Sequence, residues 1–332
     1  MSVETYGTTA AGEAVRRVTL SDGPLRVALL THGARIQDAR LDGIPHSLTL
    51  GTDDLAAYEG PLSSVGALVG PVVNRIGGAS AALDGRTHRF EDRGGGVTLH
   101  SGSAGTHRKV WELLDSGPAH ALMALTLPGG EGGFPGERRV TARFDVAGAA
   151  LTMEVEAETD APTWANFANH SYWNLDGTPT FAGHALRVAA GRYLPTDADD
   201  VPTGEIAPVE GTGLDFRTGR ALHPGAEPDI DANLCLADGA RALTPVLRLT
   251  GAAGVSMEMA TTEPGVQVYF GHKLRDVGAL DHAGRPFAPY RALALEAQGW
   301  PDAPNRSSFP EVRLDPGERR RQATRWSFGR PD

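Results

Sequence analysis

Apolar residues recur at every second position in short runs along most of the chain. Leu25, Val27 and Leu29 make one such run; Val140, Ala142, Phe144 and Val146 make another, and past Gly148 the pattern resumes at Leu151, Met153, Val155 and Ala157. A period of two is that of a half-buried strand, and the two runs flanking Gly148 predict a hairpin. Val255, Met257 and Met259 precede a Glu263-Pro264-Gly265 turn signal, and Val266, Val268 and Phe270 follow it. The best helical stretch, Thr52 to Tyr58 with Thr52 or Asp53 as cap, is only about two turns long at 3.6 residues per turn. The glycine clusters at Gly94 to Gly96 and Gly129 to Gly133 lack the Gly-Lys-Ser/Thr ending and the G-x-G-x-x-G spacing of phosphate loops, so they read as loop tips. Pro195 to Pro228 reads as a long loop, and no solenoid or propeller period is found. The pattern predicts an all-β chain, one antiparallel domain over residues 1–332 with few short helices and with function on its loops.

Composition narrows the function classes. Of 332 residues, 40% are hydrophobic and 22% charged, the balance of a chain that buries a core. Acidic residues outnumber basic ones by 41 to 31, for a net charge of −10, which argues against nucleic acid and anionic lipid as partners. Cys235 stands alone, so neither an intrachain disulfide nor a cysteine metal site can form. The first residues carry no apolar signal-like stretch and no run of 18 apolar residues occurs, so a cytoplasmic chain without a membrane span is expected. Lys109 and Lys273 are the only lysines, leaving few candidates for Schiff-base chemistry. There is no HExxH, and His100 with His107 is poor ligand spacing, so metal-free chemistry is favoured.

Two segments concentrate polar and aromatic groups. In Trp164-Ala-Asn-Phe-Ala-Asn-His-Ser-Tyr-Trp-Asn174, amides and aromatics suit a sugar, whose faces stack on rings and whose hydroxyls pair with polar side chains. On a strand, His170 would share a face with Asn166 and Asn174. An isolated histidine is more often a structural hydrogen-bonding group than a catalyst, and both roles stay open for His170. In Arg291-Ala-Leu-Ala-Leu-Glu-Ala-Gln-Gly-Trp-Pro-Asp302, Leu293 and Leu295 would face the core, with Ala292, Ala294, Glu296, Gln298 and Trp300 opposite. Glu296 is either a solvated strand glutamate or a carboxylate at the base of a cleft whose two alanines leave space. Asn74, Arg75, His100, Asp231 and Gln267 are weaker candidates taken singly.

Taken together and in order, the motifs resemble the aldose 1-epimerases, also called galactose mutarotases. The resemblance runs through Gly70-Pro-Val-Val-Asn74-Arg75-Ile76, Leu99-His100-Ser101-Gly102, Asn169-His-Ser-Tyr-Trp-Asn174, Ile230-Asp231-Ala-Asn233, Pro264-Gly-Val-Gln267 and Leu295-Glu296-Ala-Gln298, spanning most of the chain. It implies a galactose mutarotase-like β-supersandwich and interconversion of the α and β anomers of a free aldose, glucose or galactose by default. It also implies His170 as general acid, Glu296 as general base, and Arg75, His100, Asp231, Gln267 and Asn74 on the substrate, with no metal or organic cofactor. The expected partner is a monosaccharide, and the expected state a monomer or homodimer. A glutamate is ionised at neutral pH and can accept a proton, while a histidine held protonated by a nearby carboxylate can donate one. Pro71 and Ser101 depart from the family's common Gly-Arg and Leu-His-Gly-Gly, and Ser101 adds a side chain to a loop expected to line the site. The alternatives are a non-catalytic carbohydrate-binding or sensing module on the same fold, a glycosidase using Glu296 with Asp231, and a sugar-phosphate epimerase, which would need clustered arginines.

Overall fold

The computed structural model describes residues 2–92 and 94–330. Ser2–Thr8, Ala14–Asp22, Leu25–Leu30 and Arg35–Leu41 form a four-stranded antiparallel meander. A nine-stranded sheet runs, in spatial order, Glu112–Ser116, His120–Leu127, Arg138–Ala147, Ala150–Thr159, Arg320–Gly329, Ser256–Thr261, Thr244–Thr250, Ala185–Val188 and Arg220–Ala221. A six-stranded sheet has the order Tyr172–Trp173, Leu293–Gln298, Gly265–Tyr269, Asp231–Cys235, Arg192–Tyr193 and Ala207–Pro208. The apolar faces meet in one core. Val27 and Leu29 of the meander, Val140 and Phe144 of the large sheet, and Val266, Val268 and Leu295 of the six-stranded sheet all belong to it. This is the β-supersandwich that the resemblance implies, built from strands of the kind the alternating pattern predicts.

The hairpin expected around Gly148 is present. Arg138–Ala147 pairs with Ala150–Thr159 in unbroken register down to Ala147 opposite Ala150, and Gly148 takes the positive φ of 58° that the tight turn requires. The two runs flanking Pro264-Gly265 do not pair with each other. Ser256–Thr261 lies in the nine-stranded sheet and Gly265–Tyr269 in the six-stranded one, so the turn carries the chain from one layer to the other. The α-helix is shorter than expected, Leu55–Glu59, because Asp54 supplies the cap: its Oδ1 accepts from the amides of Ala56 and Ala57 at 2.9 and 3.3 Å. No described helix is long and apolar enough to cross a membrane.

The Trp164 to Asn174 segment departs most from expectation. It is broken into two-residue strands, Thr163–Trp164, Ala168–Asn169 and Tyr172–Trp173, each paired with a different partner, and it is buried throughout. His170 therefore does not share a strand face with Asn166 and Asn174. The amides serve the backbone: Asn166 bonds Gly299 through both its oxygen and its nitrogen, Asn169 donates to the Gly66 carbonyl, and Asn174 donates to the carbonyls of Thr178 and Arg291. Trp164 and Trp173 lie in apolar clusters, and neither lines the cavity that holds His170. Buried backbone groups need partners, and here the asparagines supply them.

Candidate active site

The six-stranded sheet separates apolar from polar. On its underside Leu293, Leu295, Ala297, Val266, Val268 and Leu234 join the core. The register aligns Glu296 with Gln267 and Asn233 on the upper side, and Ala294 with Tyr269 and Asp231 one row away. The alternation expected for the Leu293–Gln298 strand is thus present, although Ala292 and Ala294 leave no open space. Both are fully buried in a cluster with Tyr172, Phe287 and Tyr58.

His170 reaches this face from a neighbouring loop. Gly66 and Ala67 clamp it: the Gly66 amide donates to the His170 carbonyl and the His170 amide to the Ala67 carbonyl, each at 2.9 Å. Arg35, fully buried, donates to the carbonyls of Leu62, Ser63 and Val65 and so ties down the loop that carries the clamp. Tyr172 stacks on the imidazole with ring centres 5.0 Å apart. In this position His170 Nε2 lies 3.6 Å from Glu296 Oε1, and both side chains are almost wholly removed from solvent.

The remaining candidates converge on the same cavity, of about 190 Å³, whose walls include Asn74, Arg75, His100, Asp231 and Gln267 around the His170–Glu296 pair. Arg75–Gly77 pairs with Val97–Leu99, and just beyond it the Asn74 amide donates to His100 Nδ1 at 3.1 Å while the His100 amide donates to the Asn74 carbonyl. An acceptor role at Nδ1 leaves the proton of neutral His100 on Nε2. Asn74 turns its own Oδ1 back onto the Arg75 amide, which makes it a support for Arg75 and His100. Gln267 Nε2 donates to Asp231 Oδ1 at 2.6 Å, and Gln267 Oε1 and Glu296 Oε2 have no partner among the described residues. A larger cleft of about 460 Å³, between Leu83, Trp164, Phe309 and Arg313, holds no imidazole–carboxylate pair, and its Asp84 is already bound by Arg313.

Residues 16–327 match the pattern of the family described as aldose 1-epimerase. The chain belongs to the aldose 1-epimerase family. The galactose mutarotase of Bos taurus is 33% identical over 326 residues, covering 95% of this chain and 94% of its own, and the aldose 1-epimerase of Escherichia coli (strain K12) is 28% identical over 342 residues, covering 98% of each. Among solved structures, an aldose epimerase homologue from C. elegans superposes with a TM-score of 0.88 at 28% identity, covering 95% of this chain and 99% of that one. The activity carried by this aldose 1-epimerase is that of an isomerase.

Burial acts in opposite directions on the epimerase's two central groups. It pushes the His170 imidazole down to about 4, and the Arg35 guanidinium adds to this. It pushes the Glu296 carboxyl well above its usual range; Asp231 works in the same direction and Arg75 against it. Neither shift favours the arrangement in which an ionised Glu296 holds His170 protonated. Both shifts favour the uncharged imidazole beside the uncharged carboxyl, because a charge-separated pair 3.6 Å apart does not offset the loss of hydration of both ions.

His32, His100 and His107 are likewise pushed toward the neutral form. Burial pushes His32 down to about 4 and lowers His100 and His107, with neighbouring cationic groups adding to each effect. With folded pKa values below the unfolded 6.5, these groups and His170 contribute stability that is complete above pH 6.5 and lost as pH falls toward 4. For His32 and His170 the loss is about 2 kcal/mol each between pH 6.5 and 5, at 1.36 kcal/mol per pH unit. Glu296, raised by burial, offsets only part of the total. Thermal melts should show a midpoint lower by at least about 5 °C at pH 5 than at pH 7. Equal midpoints would show that these imidazoles titrate alike in the folded and unfolded chain.

Ser101 does not line the epimerase's cavity. Its hydroxyl accepts from the Val72 amide and donates to the Val72 carbonyl, both at 2.9 Å, so it braces the Gly70-Pro71 loop from behind. Tyr172, Tyr269 and Lys273 do line it, and sequence reasoning assigned them no role. The alternation that placed Gln267 also points at Tyr269, two residues on. Lys273 lies past the strand end, where periodicity carries no signal.

Proposed function

We propose that this isomerase interconverts the α and β anomers of a neutral free aldose, galactose or glucose in the first instance, through His170 and Glu296. The observation that carries the reading is the buried Nε2–Oε1 pair at 3.6 Å on the floor of a cavity sized for one small ring. Ring opening needs the proton of the pair on His170. Glu296 then takes the proton of the C1 hydroxyl as His170 delivers its own to the ring oxygen; the ring C–O bond breaks and C1 becomes a carbonyl. Rotation about C1–C2 presents the other carbonyl face, and the reverse transfers close the ring. The form with the proton on Glu296 is the one left after opening and ready for closure, so one shared proton serves both half-reactions. Arg75, which stabilises the carboxylate form of Glu296, favours the redistribution needed for opening.

In this reading Arg75 and His100, through its Nε2–H, donate to sugar oxygens, while Asp231 and the free Gln267 Oε1 accept from hydroxyls. Asn74 contributes through Arg75 and His100. Residues 1–332 act as one unit, a cytoplasmic monomer or homodimer; its lone cysteine, Cys235, is buried. The pairing of an imidazole with Glu296 favours epimerisation over two-carboxylate glycoside hydrolysis.

Polarimetric relaxation of fresh α-D-galactose, α-D-glucose and a panel of other aldoses should run faster than buffer. Sugar binding without acceleration would leave a binding module and reject the enzyme reading. The pH profile provides a second test. The active one-proton pair gains a second proton only near the lowered His170 value, about 4, and loses its proton only above the raised Glu296 value. After correction for buffer, kcat/KM should stay level as pH rises through 6.5. A fall centred there would show that His170 titrates independently and that no proton is shared.

A further inference from the structure

Two residues of the cavity wall, Arg75 and Lys273, meet a carboxylate that the assigned roles do not use. Asp200 Oδ2 lies 2.7 Å from an Arg75 guanidinium nitrogen and 3.2 Å from Lys273 Nζ. Arg75 and Lys273 both line the cavity, so one side-chain oxygen bridges its two cations. The other carboxylate within reach, Asp231, lies 3.9 Å from Lys273 and is already engaged by Gln267. Two cations thus face two carboxylates, and the His170–Glu296 pair with its single proton adds no net charge. The entrance is electrically balanced, and Asp200 completes the balance.

Asp200 is held there by its own loop. Asp197 Oδ1 accepts from the amides of Asp199 and Val201, the Asp197 amide donates to the Val201 carbonyl, and the Asp200 amide donates to the Asp197 carbonyl. At the tip Asp200 adopts a left-handed φ of 58°, which projects its carboxylate onto Arg75 and Lys273. The Asp200 carboxylate thus already engages the two cations to which an anionic group would be drawn.

Resting on the reading of this cavity as an aldose site, we propose that Asp200 is a specificity residue: a built-in counter-anion that neutralises Arg75 and Lys273 and reserves the site for uncharged aldoses against those bearing a carboxylate or phosphate. An incoming anion must displace Asp200 or sit beside it, and like charges placed together are unfavourable. A neutral sugar needs only hydrogen bonds from the same cations. Without the Asp200 charge, two donors and a net positive charge would face the entrance.

The test compares D-galactose with D-galacturonate, which differ only at C6. Asp200→Asn is the variant of choice because asparagine tolerates the left-handed backbone as well as aspartate does. The ratio of kcat/KM for galacturonate to that for galactose should rise about tenfold or more in Asp200→Asn, the size of one partly screened charge interaction. The gain should shrink as salt is raised, and adding Lys273→Gln should reverse most of it. A ratio within about twofold of wild type, or a gain that Lys273→Gln leaves intact, would overturn the proposal; the twofold bound is well inside the tenfold expectation. Calorimetric binding of galacturonate, expected to be tighter in Asp200→Asn than in wild type, tests Asp200 independently of turnover. Failure of wild type to accelerate galactose mutarotation would instead count against the functional reading.

Discussion

Glu296→Gln is expected to lower kcat for mutarotation by about 10²- to 10⁴-fold, the range for loss of a general acid or base, with KM changed far less. The amide keeps the shape and hydrogen-bonding reach of the carboxyl but can neither take the C1 hydroxyl proton nor return it. His170→Asn should cost a similar factor, and the double variant little more than either single one, as the proposed exchange of one proton between the two groups requires. Stability provides the control. Burial already favours the uncharged Glu296 carboxyl, so the neutral glutamine should leave the melting midpoint near that of wild type. A variant that keeps full turnover would remove Glu296 from proton transfer.

Gly66→Ala should damage both stability and turnover from a position that touches no substrate. Gly66 has φ of 73°, and a Cβ there would lie 2.3 Å from the Ile36 carbonyl oxygen, a backbone atom that cannot swing aside. The left-handed backbone alone costs a residue with a Cβ about 1–2 kcal/mol, and the clash adds to it. At roughly 2–4 °C per kcal/mol, the melting midpoint should fall by several degrees. Relief requires Gly66 to move, yet its amide holds the His170 carbonyl and its own carbonyl accepts from Ile36 and Asn169. Kcat should therefore fall with stability, even in the fraction that remains folded below the midpoint. Wild-type turnover per folded molecule would show that the clamp on His170 is not needed for its alignment.

The outcomes at particular residues show how far the sequence could be read. The runs at Val140 to Val146 and Leu151 to Ala157 identified their strands because a period of two and a glycine turn are properties of adjacent residues. The same periodicity set Leu293 and Leu295 on the core side and Glu296 opposite. It failed at Asn166 to Asn174, where burial on all sides erases alternation and asparagines serve backbone groups freed by broken strands. It also misjudged Ala292 and Ala294, since small residues mark space only until a distant Tyr172 fills it. Ordered motifs named the candidate site residues through family resemblance; Asp200 was given no role, and only the folded loop brings it to Arg75 and Lys273.

By itself the amino-acid sequence determined that this protein is a β-rich, acidic isomerase of the aldose 1-epimerase family, because strand periodicity, turn residues and motif order are written locally along the chain. Only the tertiary structure decided that His170 and Glu296 lie 3.6 Å apart out of water, that burial favours the uncharged form of each, and that a loop carboxylate meets Arg75 and Lys273. Distance, desolvation and charge pairing arise between segments remote in sequence, so they exist only once the sheets have closed over a common core.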